Sequence, residues 1–242
     1  MSQNSKLLIT SGCSFSECIS PWIKTWPAHL AAKLDGFAHI SKAMGSQGNG
    51  LISRSIVYQV TEALKTYSAD NIVVGIMWSG PDRVDFYNPS VKFSSNLSGW
   101  MENPTGFVDN HKNWIILNHG WNTDHAKQYY GNFHSYIGSL IYTLEHILRT
   151  QWFLKSLGVK YFMSTYTSEV LPQIAKAHPE TAYLYNQIDF SKFLPVEGEY
   201  EWCRDHSGLD FPIPNDNHPS SQQHLLFVEK VILPFVKETQ II

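Results

Sequence analysis

A chain of 242 residues that is 43% apolar and 16% charged can bury a sizeable core, which excludes global disorder. A net charge of −3 and the lack of any Lys/Arg-rich run exclude a nucleic-acid footprint. No apolar stretch approaches the length of a membrane span, and Met1–Lys6 carries no signal-peptide core, so a soluble, cytoplasmic protein without a membrane partner is expected.

Lys6–Thr10 reads as a first buried strand that stops at Ser11-Gly12. Trp26–Leu34 has helical spacing, with Pro27 near its start where a missing N–H does no harm, and Gly36 ends it. Phe37–Ala43 is a second strand, followed by the glycine turn Gly45–Gly50. A helix from about Leu51 to Tyr67 carries Ile52, Ile56, Val60 and Leu64 on one stripe. Asn71–Trp78 is the clearest buried strand and breaks at Ser79-Gly80-Pro81-Asp82-Arg83. Strand, glycine turn, helix, strand is a βαβ unit and implies a parallel sheet with right-handed crossovers.

Residues 85–135 break that rhythm. They are rich in Asn, Gly, Trp and His, show little helical period, and read as a loop-like insertion after the third strand. Its Trp100, Trp114, Trp121, Tyr129 and Tyr130 either wall a sugar site or form a small satellite core. Its histidines, His111, His119, His125 and His134, match no metal-ligand spacing, and no metal or cofactor is expected. Ile137–Leu157 is a strong amphipathic helix closed by Gly158, and Val159–Ser164 is a fourth strand. One or two short helices, broken by Pro172 and Pro179, occupy Ser168–Asn186. Gln187–Leu209 reads as irregular. Ser220–Glu238 is the final helix, with Leu225, Val228, Val231 and Ile232 inward and a kink expected at Pro234.

Four stretches carry chemistry. Gly12-Cys13-Ser14-Phe15-Ser16 puts a hydroxyl on a strand-to-helix turn, where Ser14 is either a nucleophile or a helix cap. Cys13 is a rival nucleophile and, equally, a small buried hydrophobe. The three cysteines, Cys13, Cys18 and Cys203, include no CxxC pair and make no disulfide framework. Asp216-Asn217-His218-Pro219-Ser220 offers a general base beside a carboxylate at the mouth of the last helix, or a plain polar turn. The glycines of 45–50 allow backbone to approach a substrate and an N–H to hold an oxyanion. Trp78, Ser79 and Arg83, at the end of a central strand, are the expected substrate-facing residues, with Arg83 suited to an anionic group or to a surface ion pair.

In the order and placement of these stretches the chain resembles the SGNH (GDSL-like) hydrolase family over nearly its whole length. The resemblance implies an α/β fold, a three-layer α/β/α sandwich of flavodoxin-like type around a parallel sheet of about five strands, formed by one domain over 1–242. It implies Ser14 as nucleophile, His218 as base and Asp216 as its carboxylate, although the family position three before the His is Asn215 here. It implies an oxyanion hole from the N–H groups of Ser14 and Gly48, with Gly45 a second candidate glycine. The family's third-block Asn is missing: Pro81 stands about there and cannot donate, leaving Asn49, Ser79 or Arg83 to replace it. Losing one such donor costs roughly 100–1,000-fold in rate. The expected activity is hydrolysis of a small or carbohydrate-linked ester, an O-acetyl ester among them. The alternatives are a catalytically weak or silent glycan- or partner-binding relative, or an acyltransferase with the same triad.

Overall fold

The computed structural model describes residues 6–18, 23–88, 114–214 and 216–242. Four strands form one parallel sheet in the order β2-β1-β3-β6, where β1 is Lys6–Ser11, β2 Phe37–Ser41, β3 Ile72–Trp78 and β6 Lys160–Thr165. The registers set Ile9 beside both Ile40 and Val74, and Gly75 beside Phe162. The expected fifth strand is reduced to a single parallel bridge, Met163 to Phe193, reinforced by Leu194 N–H donating to Met163 O at 2.9 Å. The 3-10 turn Phe190–Lys192 just before it prevents a longer ladder.

Strand alternation builds the three layers. Successive side chains point to opposite faces, so one apolar run supplies two cores. Leu7, Ile9, Val74, Ile76 and Met163 pack against α2 (Asn49–Ala63) and α4 (Tyr136–Ser156) through Ile52, Ile56, Leu144 and Ile147. Leu8, Val73, Met77 and Phe162 face the opposite way. They meet Trp26 and Leu30 of α1 (Trp26–Lys33) and Phe227, Val231 and Val236 of the C-terminal helices. The chain leaves β1 toward β2 and leaves β3 toward β6. The switch point, where open α/β sheets take their ligands, is therefore between the carboxyl ends of β1 and β3.

Two expected irregular regions turn out to hold regular elements, and the last helix is irregular just before Pro234. Residues 85–135 hold an antiparallel pair, β4 (Val84–Tyr87) with β5 (Trp114–Leu117), and the helix α3 (Asp124–Asn132). Short strands and a helix rich in Gln, Tyr and Asn show no strong apolar period, so the pattern hid them. Thr123 caps α3 by accepting from Ala126 N–H. Trp114 and Trp121 pack with Met44 on Leu51 and Ile116, a satellite core, while Trp100 and His111 lie outside the described residues. Gln187–Leu209 contains a helix, α7 (Glu199–His206), after the 3-10 turn. The last helix is α8 (Ser221–Phe227) and α9 (Leu233–Glu238), joined by a π turn, Val228–Ile232. Pro234 has no N–H to close the usual i→i−4 bond, and the wider turn immediately before it takes up the mismatch.

Candidate active site

Backbone geometry brings the two ends of the chain together. After β1, Cys13 O accepts the N–H groups of Ser16 and Glu17, a single helical turn that lifts Ser14 out of the sheet edge. Gly12 is required there: a Cβ would lie 2.3 Å from Ser16 Oγ and 3.0 Å from the Met77 carbonyl. Trp26 Nε1–H donates to Ser16 Oγ at 2.8 Å and holds the turn down. At the other end a capping box, Ser220 with Gln223, starts α8 and fixes the loop before it.

Across 204 positions, His218 Nε2 lies 2.7 Å from Ser14 Oγ. His218 Nδ1 lies 2.5 Å from Asp216 Oδ1, which also accepts the His218 N–H at 3.1 Å. The hydrogen bond with His218 holds the Asp216 carboxyl below its usual range. With its proton on Nδ1, facing the carboxylate, the imidazole presents an unprotonated Nε2 to the hydroxyl. Phe15 packs against the His218 ring, tilted by 38° with centroids 5.0 Å apart, and Tyr166 meets Phe15 edge-on at 5.1 Å. Cys13 is fully buried in the core beneath, as the small-hydrophobe reading has it. Asn215 lies outside the described residues.

The expected donors and substrate contacts fare differently. Gly48 N–H donates to Asp85 Oδ1 at 3.0 Å, and Leu51 N–H donates to Asp85 Oδ2 at 3.0 Å. Asp85 of β4 thus caps α2 with both oxygens. The other candidate glycine, Gly45, donates its N–H to Glu17 Oε2 at 2.6 Å. The Asn49 amide is consumed by the end of β3: Nδ2–H donates to Ser79 O at 2.9 Å and Oδ1 accepts Ser79 N–H at 2.8 Å. Trp78 is fully buried with its Nε1–H on Met163 Sδ, so it is a core residue and not a substrate contact. Ser79 is buried as well, and its hydroxyl accepts from Arg83 Nη1–H at 2.8 Å. A β-strand ending in the interior keeps its last side chains there, which composition alone does not reveal. By contrast, the Ser14 N–H finds no acceptor among the described residues.

Arg83 lines a cavity of about 380 Å³ with Asp82, Asn118, Tyr136, Tyr166 and Glu169. Its guanidinium lies over the Tyr166 ring at 5.2 Å. Burial works against its charge, but Cys13, Tyr166 and Asp82 outweigh that and raise its pKa. Asp85 and Tyr166 went unread in the sequence. Asp85 sits in the stretch without period, and Tyr166 follows a strand with no motif around it. Phe15 lies inside the first motif, between two hydroxyl residues, and nothing local marks its ring as the contact of His218. Among the described residues no three or more His, Cys, Asp or Glu are grouped to hold a metal, and no helix is long and apolar enough to cross a membrane.

Comparison with known proteins agrees with the architecture. The model of a family of unknown function (DUF6071) matches residues 21–242. The chain is similar to the crystal structure of TesA, at 12% identity and a TM-score of 0.52, over 96% of this chain and 99% of that one. It is also similar to the YxiM protein of Bacillus subtilis, at 12% identity and a TM-score of 0.50, over 98% of this chain and 57% of that one. No curated protein matches the sequence. At such identities the likeness is one of fold, and that fold is SGNH-like: helices on both faces of a parallel sheet.

Proposed function

We propose that this chain, which belongs to the family of unknown function DUF6071, is a serine hydrolase that cleaves a small or carbohydrate-linked ester. The observation that carries the reading is the continuous relay from Asp216 Oδ1 through the His218 ring to Ser14 Oγ, with gaps of 2.5 and 2.7 Å. The order of groups and their spacing are those of nucleophilic acyl transfer. The SGNH-like fold supports it, since the relay sits at the switch point of the sheet.

In this mechanism His218 Nε2 takes the Ser14 proton as Oγ bonds to the ester carbonyl carbon, and the carbonyl π pair moves onto oxygen. Asp216 keeps the Nδ1 proton in place and stabilises the imidazolium. The intermediate collapses, the bond to the alcohol oxygen breaks, and that oxygen takes the Nε2 proton. Water then attacks the acyl-Ser14 ester with His218 again as base, releasing the acid. The cavity beside Arg83 receives the alcohol: two tyrosine rings, two carboxylates and an amide suit hydroxyl-rich groups such as sugars.

Turnover of p-nitrophenyl acetate tests the reading. Ser14→Ala is expected to lower kcat by at least about 1,000-fold, since members of such a relay act as a unit. Equal rates for the two proteins would remove Ser14 from the mechanism. A second reading, a silent binding protein, has one observation in its favour: the N–H groups of Gly45 and Gly48 already serve carboxylates.

A further inference from the structure

A base that shuttles a proton must keep one ring nitrogen on the nucleophile and the other on its carboxylate, and two hydrogen bonds alone hold it loosely here. The His218 side chain is 45% exposed and that of Asp216 38%. Water competes for a bond so open, and ion pairs exposed to solvent orient their partners weakly. His218 also stands in the loop before α8, outside any helix or strand. Both bonds lie near the plane of the imidazole and resist its tilting only weakly.

Phe15 supplies a third contact. Its ring centroid lies 5.0 Å from that of His218, with the planes tilted by 38°. Two rings side by side in one plane could not come so close, so Phe15 bears on the imidazole across its plane. Phe15 is only 3% exposed and belongs to the core built with Cys13, Trp26, Leu30 and Phe227. Tyr166, the residue after β6, meets it edge-on at 5.1 Å. Tyr166 is itself fixed between two elements: its N–H donates to Trp78 O at 3.2 Å, and its carbonyl accepts the Tyr200 N–H of α7 at 2.9 Å. The ring that touches the half-exposed base is thus the tip of a close-packed interior, which yields little. Phe15 also follows Ser14 on one helical turn, closed by Cys13 O accepting the N–H groups of Ser16 and Glu17.

Resting on the hydrolase reading, we infer that Phe15 is the positioning residue of the general base: its buried ring holds the His218 imidazole in line with Ser14 Oγ. Adjacent side chains of one rigid turn then grip the imidazole at two places, Ser14 at Nε2 and Phe15 across the ring. Phe15 acts through His218 and carries no proton itself. The alignment it maintains matters while the proton passes from Oγ to Nε2, so its loss belongs in kcat and not in KM. An aliphatic side chain of similar volume fills the core but offers the imidazole no flat surface.

The experiment compares wild type, Ser14→Ala, Phe15→Leu, Phe15→Tyr and Leu30→Ala on p-nitrophenyl acetate, with urea unfolding as the stability control. Proton NMR follows the His218 Nδ1–H resonance in each protein. Phe15→Leu is expected to lose about 10–100-fold in kcat with KM within about threefold, and Phe15→Tyr, which keeps the ring, to lose less. Leu30→Ala opens a cavity in the same core and is expected to lose stability but keep kcat within about threefold. The Nδ1–H resonance is expected to broaden or move upfield in Phe15→Leu and to stay in place in Leu30→Ala. If Phe15→Leu does not fold, Phe15→Met carries the comparison with the same expected result. A Phe15→Leu protein with wild-type kcat, or with a loss confined to KM or matched by Leu30→Ala, overturns the role of Phe15 and leaves the relay intact when Ser14→Ala is dead. A wild-type rate for Ser14→Ala overturns the hydrolase reading instead. The resonance then decides for Phe15 by itself, and an unmoved signal in Phe15→Leu overturns the positioning role too.

Discussion

At the scale of single residues, the backbone around the site is held by half-buried carboxylates. Asp85 is half-buried, and desolvation pushes its pKa up to about 6 against the pull of the Gly48 and Leu51 N–H groups and of Arg83. Its folded pKa lies above the unfolded value of 3.8, so the folded state binds the proton more tightly between those limits. Asp85 therefore adds stability as pH falls from about 6 to about 4, by up to ~3 kcal/mol, and withdraws it as pH rises. Half-buried His39 and His146 do the reverse. Burial lowers both to about 4, so each protonates more readily once unfolded, and the stability they contribute near neutrality is lost as pH falls from about 6.5 to about 4. The three oppose one another across one window. Asp85→Asn removes the acid-side gain, so its stability, measured by urea unfolding at pH 4, 5, 6 and 7, is expected to fall more steeply toward acid than that of wild type. Parallel curves for the two proteins would mean that Asp85 does not carry this proton. An Asn also turns an N–H toward a backbone N–H, which lowers the whole curve without changing its slope.

At the scale of elements, each functional side chain owes its place to the end of a helix or strand. Ser14 follows β1, Arg83 follows β3, and His218 stands just before α8. The capping box of α8 is complete: Gln223 N–H donates to Ser220 Oγ at 3.2 Å, and Ser220 N–H donates to Gln223 Oε1 at 2.9 Å. Ser220→Ala is expected to cost about 1 kcal/mol, a drop of ~2–4 °C in Tm for a chain of this size, read by calorimetry. No shift in Tm would show that the cap is not holding the helix. Ser220 was legible as the start of the last helix, and α8 begins at the residue after it, while the closing Gln223 of the box emerges only in the structure. The N-terminus of α2 carried no such signal. Its partner, Asp85, comes from another strand 37 positions from Gly48, and local sequence says nothing of caps supplied from afar.

At the scale of the whole molecule, one sheet separates two cores, and its strands supply side chains to both. Central strands buried on both faces cannot relax into solvent when a side chain is truncated, so cavities there stay open. Leu144→Ala, in α4 against the sheet, is expected to destabilise by about 2–5 kcal/mol in urea unfolding. Ile174→Ala, on the exposed side of α5 (Gln173–Ala177), is expected to stay within ~0.5 kcal/mol of wild type. Similar losses at both positions would contradict the two-core division. The aromatic residues of the 85–135 stretch belong to this scale too. Trp114 and Trp121 close a satellite core over Leu51, and Tyr130 donates its hydroxyl to the carbonyls of Asp82 and Leu117, bracing the loop that carries Arg83.

The four strands and the helices between them were legible because each is written in local pattern: runs of apolar residues, glycines where backbone turns sharply, a cap before a helix. Those features depend on neighbours a few positions away, and a single sequence displays them. The pairing of Ser14 with His218, 204 positions apart, was expected only from the order of the motifs and the family they resemble. The fate of the oxyanion donors was not legible. Whether an N–H at Gly48 is free depends on whether a carboxylate 37 positions further on folds back onto it, and whether Trp78 meets substrate or core depends on which layer covers the end of β3. Both are settled by the packing of β4 and α4 over α2 and the sheet. Hydrogen-bond occupancy is a property of the assembled interior, because a donor is available only when nothing else in the fold has reached it first.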